Sequence, residues 1–162
     1  MTVCIRSARV ADYPWVESLI RAELRDHAAW RPDLFYSDGA GYRQEEFQAL
    51  LADSGAIALA AEVDGDLAGI CLGRVAPRLE SPVFRPGLDA ELEDVAVFPA
   101  FRRRGVARCL LEAAKIRAAE LGAERLGLRV WEFNAGALAL YRAMGFQMQW
   151  SKLEAECEKK VE

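Results

Sequence analysis

Over residues 2–10, Val3 and Ile5 alternate with Thr2, Cys4 and Arg6, a period of two that predicts a strand. The period then lengthens. Val16, Leu19, Ile20 and Leu24 recur at helical spacing, with Asp12 placed as the N-cap and Pro14 in the first turn. A stretch broken by Pro32, Gly39 and Gly41 follows, carrying Trp30, Phe35 and Tyr36; these aromatics either cap the core or face a substrate. "YRQEEFQALLADSG" reads as a second amphipathic helix. Beyond it, two apolar runs separated by Asp64, Gly65 and Asp66 form the clearest hairpin of the chain.

After a loop with two prolines, "AELEDVAVF" is apolar on both faces and so suits a central strand. Val106, Ala107, Leu110, Leu111, Ala114, Ala118 and Leu121 then mark one helical face that Gly122 ends. "ERLGLRVWEF" predicts another strand, and "NAGALALYRAMGF" a helix capped by Asn134 and terminated by Gly145. "QMQWSKLEAE" closes as a last strand. The order β α α β β β α β α β places a hairpin before crossovers, which implies an α/β chain with a mixed sheet and helices on both faces. We assign one domain to residues 1–154 and a short C-terminal tail to 155–162.

Composition narrows the function. With 52% hydrophobic and 28% charged residues in 162, the chain has the balance of one globular domain. A net charge of −4 argues against nucleic-acid binding through bulk positive charge. The four cysteines show no C-x-x-C pair and only one histidine is present, so no metal site is expected and the thiols are read as reduced. The N-terminus lacks a signal-peptide pattern, and no run approaches the ~18 apolar residues of a membrane span. The expected location is cytoplasmic, with no membrane partner.

Against this acidic background "VAVFPAFRRRGVARCLL" sets three arginines side by side between a strand and a helix. The first turn of a helix presents N–H groups without intrahelical partners at the positive end of its dipole, which suits an anion and above all phosphate. Arginines add charge-assisted bonds, and a glycine lets phosphate approach the backbone. A P-loop or a dinucleotide fingerprint would need glycines, a lysine or a hydroxyl that this turn lacks.

The run "LEDVAVFPAFRRRGVARCLLEAA" resembles the acyl-CoA-binding motif of the GCN5-related N-acetyltransferases, [Q/R]-x-x-G-x-[G/A] after a V-x-P strand end. "NAGALALYRAMGF" resembles that family's next motif, an Asn followed by a helix that carries a Tyr and ends in G-F. The resemblance implies a mostly antiparallel sheet of six or seven strands and acetyl-CoA as co-substrate. It also implies that the backbone of Arg103, Arg104, Gly105, Val106 and Ala107 holds the pyrophosphate, with Arg102 beside it. Val95 and Val97 would pair with the pantetheine amides, and this strand and the next, about 125–131, would splay to form the acyl slot. Tyr141 would protonate the leaving thiolate, and Asn134 would cap its helix, bond the coenzyme, or both. A homodimer through the terminal strand is compatible with the family.

For the base, Glu91 and Glu93 lie one strand period apart and share a face with Val95 and Val97, whereas Asp94 points the other way unless a bulge intervenes. The expected activity is transfer of an acetyl group to a primary amine of a small molecule or peptide. The alternative from another class is a non-catalytic acyl-CoA sensor or assembly module on the same fold.

Overall fold

The computed structural model describes residues 2–79 and 81–157. The elements are β1 (Val3–Ser7), α1 (Tyr13–Trp30), α2 (Gln44–Ala52), β2 (Ala56–Val63), β3 (Asp66–Pro77), β4 (Leu88–Val97), α3 (Val106–Glu120), β5 (Arg125–Leu128) and α4 (Ala135–Ala143). They fall into two compact units, one ending at Arg129 and one starting at Val130. The first unit holds the whole sheet, ordered β1-β2-β3-β4-β5. Its pairings are antiparallel except β4 with β5, which run parallel and are joined through α3.

Alternation along β3 sorts the core into two layers. Ile70 and Leu72 turn to one face, where they pack with Ala96 of β4, with Val16, Leu19 and Ile20 of α1, and with Phe47 and Leu50 of α2. Gly69 lies on the other face: a Cβ there would stand 3.3 Å from Leu110 Cδ1 of α3. Val106, Leu110, Leu111, Ala114 and Ala118 are buried along that helix. Helices therefore cover both faces, as the element order required. The four thiols are free, Cys71 buried, Cys109 partly covered, Cys4 and Cys157 exposed.

Three local features differ from the sequence reading. Asp12 precedes α1 but does not cap it with its side chain. Its carboxylate accepts from Arg6 Nη1 (2.7 Å), Arg6 Nη2 (2.9 Å) and the Arg9 N–H (2.7 Å), closing the short 3-10 turn Val10–Asp12. The hairpin loop is only Asp64 and Gly65, both at positive φ, because Val63 already pairs with Asp66. The terminal strand does not form: the sheet has five strands, not six or seven, and residues 147–157 have no regular structure. Met148, Trp150 and Leu153 are exposed along with every other residue of 147–157, so the segment lacks the packed face that would fix a register.

One irregularity shapes the site. The β3–β4 ladder runs Leu72↔Asp94 and then Gly73↔Leu92, leaving Glu93 as the extra residue of a β-bulge. Gly73 permits it, since a Cβ there would lie 2.3 Å from Glu91 O and 2.8 Å from Leu92 Cα, both backbone atoms. Gly73→Ala is expected to destabilise the fold by about 1–3 kcal/mol through overpacking, read as a lower denaturant midpoint at unchanged slope.

Candidate functional site

The β4–β5 pairing covers Asp89↔Arg125 through Leu92↔Leu128 and stops there, while β4 continues to Val97. Phe98 gives its N–H to Ala68 O at 2.9 Å, toward β3. By the alternation of an antiparallel ladder, Val97 and Val95 turn their N–H and C=O groups the other way, to the side that β5 has left. That edge is placed to accept an extended amide chain. The expected strand to about residue 131 is thus shorter, ending at Leu128.

Beyond β4 the chain makes the 3-10 turn Pro99–Phe101, then Arg103 and Gly105 at φ 62° and 82°. Gly105 is the N-cap of α3, and no side chain caps the helix. The first helical bond runs from Cys109 N to Gly105 O, so the N–H groups of Val106, Ala107 and Arg108 lie ahead of the ladder. No atom stands within 4 Å of a Cβ built on Gly105, so the turn is roomy and the glycine is required by its φ. An uncapped, open helix start beside an unpaired strand edge fits a phosphate-bearing coenzyme with an amide-rich arm.

The three arginines do not act together. Arg102 donates from Nε to Val97 O (3.1 Å) and from Nη2 to Asp26 Oδ2 of α1 (3.2 Å). The Arg104 guanidinium lies 5.7 Å from the Phe101 ring centroid. Arg103 is exposed.

Asp94 points away from the face of Val95 and Val97, as plain alternation expects, and the bulge breaks the alternation only upstream of it, at Glu93 and Glu91. Asp94 turns to the α1 side, where its Oδ2 accepts from Tyr42 Oη at 2.6 Å. Glu93 reaches the same hydroxyl at 3.3 Å and pairs with Arg74 Nε at 3.2 Å. Glu91 separates from both: it pairs with Arg129 at 3.5 Å, near Gly127 of β5. Tyr42 is in turn anchored by Tyr13 Oη, which donates to its carbonyl at 3.0 Å. Beside Tyr42 opens a cavity of about 640 Å³ that Glu46, Ala49, Leu50, Asp53 and Arg74 also line.

Burial raises the Asp94 carboxyl above its ordinary value; the Tyr42 bond opposes this, Glu93 adds to it, and His27 opposes. Glu23 of α1 is pushed up to about 7, first by burial and then by Asp94 and Asp26, with Arg102 holding it down. Burial and the bond to Asp94 keep the Tyr42 hydroxyl protonated far above neutrality. Both carboxyls thus hold their protons more tightly than free ones, Glu23 up to about neutral pH, a property of acid–base sites.

Tyr42 and Glu23 were missed in the sequence. Glu23 was readable as a charge in the apolar register Val16–Leu19–Ile20, one turn on. Tyr42 carried no signal beyond following a glycine-broken loop. In the second unit, Asn134 Oδ1 accepts from Ala137 N (3.1 Å) and caps α4, and the half-buried Tyr141 meets Phe146 edge-on at 5.8 Å.

A family model described as Acetyltransferase (GNAT) family matches residues 17–146. The chain belongs to that family. Streptothricin acetyltransferase of Streptomyces lavendulae is 34% identical over 113 residues, 70% of this chain and 55% of the relative. The [ribosomal protein bS18]-alanine N-acetyltransferase of Salmonella typhimurium is 43% identical over 58 residues, 36% of this chain and 39% of the relative. The matches thus span about half or less of these curated relatives. A mutant form of the BH1408 protein from Bacillus halodurans shares the fold at a TM-score of 0.89 and 22% identity, covering 96% of this chain and 99% of its own. GNAT acetyltransferases use acetyl-CoA. Among the described residues no helix is long and apolar enough to cross a membrane, and no group of three or more metal-ligating side chains occurs.

A raised carboxyl stabilises the fold at low pH and loses that contribution as pH climbs from the unfolded to the folded value. For Glu23 this window runs from about 4.5 to about 7. The wild type should therefore lose up to about 3 kcal/mol from this group between pH 4.5 and pH 8. Glu23→Gln should flatten that fall, as measured by urea unfolding at both ends of the window.

Proposed function

We propose that this chain is an acetyl-CoA-dependent N-acetyltransferase that transfers an acetyl group to a primary amine of a small molecule or peptide, directly in a ternary complex. The observation that carries the reading is the continuity of the site. The edge of β4 at Val95 and Val97, beyond the reach of β5 and with only the Val97 carbonyl engaged by Arg102, leads at one end to the uncapped start of α3 and begins at the other beside Asp94 and Tyr42.

The bound coenzyme supplies an activated thioester, whose carbon takes the new C–N bond as the C–S bond breaks. The N–H groups of Val106, Ala107 and Arg108 receive phosphate oxygens, with Arg103 and Arg104 adding charge from the same turn. Val95 and Val97 hold the amide arm as an added strand would.

Asp94 takes the proton from the incoming ammonium or amine, directly or through water, and burial, which raises its affinity for a proton above that of a free carboxylate, favours that step. Tyr42 fixes the orientation of Asp94, and Glu93 adds negative charge for a cationic acceptor; Glu91, engaged with Arg129, plays no part in this assignment. By the family resemblance Tyr141 returns a proton to the departing thiolate, and Asn134 starts its helix. A covalent acyl-enzyme is disfavoured because Cys109 lies within α3 and Cys71 is buried with its thiol pushed up to about 12.

The names of the two curated relatives support a small-molecule or a peptide amine equally, and the cavity beside Tyr42 has room for either kind of end group. The test is a thermal-shift titration with acetyl-CoA against ATP and NADH, followed by thiol release with a panel of amines. Saturation at about 100 times Kd should add roughly 2.7 kcal/mol of stability. Asp94→Asn should keep that shift and lower kcat by about 10²–10⁴-fold. Tyr141→Phe should likewise slow turnover at retained coenzyme affinity. A chain that binds acetyl-CoA but acetylates no amine would be an acyl-CoA sensor instead.

A further inference from the structure

Each arginine of the run had the same expected use, yet Arg102 is committed elsewhere. Its guanidinium joins the last carbonyl of β4, Val97 O, to Asp26 on α1, two positions 71 residues apart in sequence that no backbone bond connects. Asp26 shares its turn of α1 with Glu23 and His27, and His27 Nδ1 lies 3.0 Å from Glu23 O, so these residues form one polar step on the helix facing the end of β4. The Arg102 backbone is itself pinned, with its N–H given to Pro99 O at 3.2 Å. A fork held at its base and donating in two directions is a strut rather than a free phosphate ligand.

We propose that Arg102 is a positioning residue for the acceptor side of the site, tying the acidic step of α1 to the coenzyme strand. The proposal rests on the acetyltransferase reading above. Its consequence is electrostatic as well as mechanical. Glu23 faces Asp94 of β4, Asp26 of its own helix and Arg102 from the turn; behind Asp94 stand Glu93 and Tyr42, and His27 lies on the same turn of α1. Arg102 is the cation that acts on Glu23 in this group, so its removal leaves the carboxyls to repel one another.

The experiment compares wild type with Arg102→Gln, Arg102→Lys and Asp26→Asn in the full chain. Acetyl-CoA affinity is measured by thermal shift, acceptor kcat/KM across pH with the best amine found, and the Glu23 carboxyl by NMR titration without ligand. In Arg102→Gln we expect acetyl-CoA affinity to change by less than about threefold and acceptor kcat/KM to fall roughly tenfold or more. The Glu23 titration should move upward. Arg102→Lys should restore the titration but not all of the rate, since a point charge replaces the fork. Asp26→Asn should reproduce the acceptor defect, and adding it to Arg102→Gln should cost little more, as members of one strut are not additive.

A large loss of acetyl-CoA affinity in Arg102→Gln with an unmoved Glu23 titration would overturn the proposal and return Arg102 to the phosphates. An unchanged acceptor rate with an unmoved titration would overturn it as well. Failure of the wild type to bind acetyl-CoA would sink the acetyltransferase reading instead, while the ligand-free titration would still decide the Arg102–Glu23 link.

Discussion

The first unit is organised by a strand with two neighbours for half its length and one for the rest. β4 is sealed by β3 and β5 up to Leu92, passes through the bulge at Glu93, and then runs on with β3 alone. Both the binding edge and the chemistry descend from that change. A fully paired β4 would offer no backbone groups to an amide chain, and the bulge is where Glu93 leaves the ladder and joins Asp94 at the Tyr42 hydroxyl. The bulge in turn depends on Gly73, where the backbone of Glu91 and Leu92 approaches more closely than any side chain allows.

The charges around this strand are separated by role. Basic residues cluster after it, where α3 begins with its N–H groups ahead of the ladder; acidic residues cluster on the α1 side, at Glu23, Asp26, Glu93 and Asp94. The two sides of one strand end thus carry opposite potentials, one suited to an anion and the other to a cation. Arg102 crosses between the two regions, and so ties the geometry of one to the electrostatics of the other.

The elements whose signal is local were legible in the sequence. The Asp64–Gly65 turn, the buried stripe of α3 and the Asn134 cap each follow from a few neighbouring residues. So does the turn ahead of α3, because positive φ at Gly105 and a helix start leave a compositional mark. What failed depends on pairing between distant strands. The last strand had β-like composition but no partner among the described residues, and the bulge is decided by Gly73 on another strand, out of reach of any periodicity in "LEDVAV". Periodicity within this strand offers Glu93 and Glu91 as bases but carries no trace of Tyr42, 52 residues away from Asp94, which is what sets Asp94 apart from them.

The sulfur chemistry of the chain divides along the same lines as its packing. Cys71, sealed between sheet and α3 with its thiol pushed up to about 12, is closed to oxidants and alkylating reagents while the fold persists. Cys4 and Cys157, near the two ends, are exposed. Ageing in air therefore begins at the ends and spreads between molecules as disulfide-linked oligomers, with the core intact. Any colorimetric thiol count starts from these two groups before a single turnover, and serine at both positions gives a chain in which every newly released thiol belongs to the coenzyme.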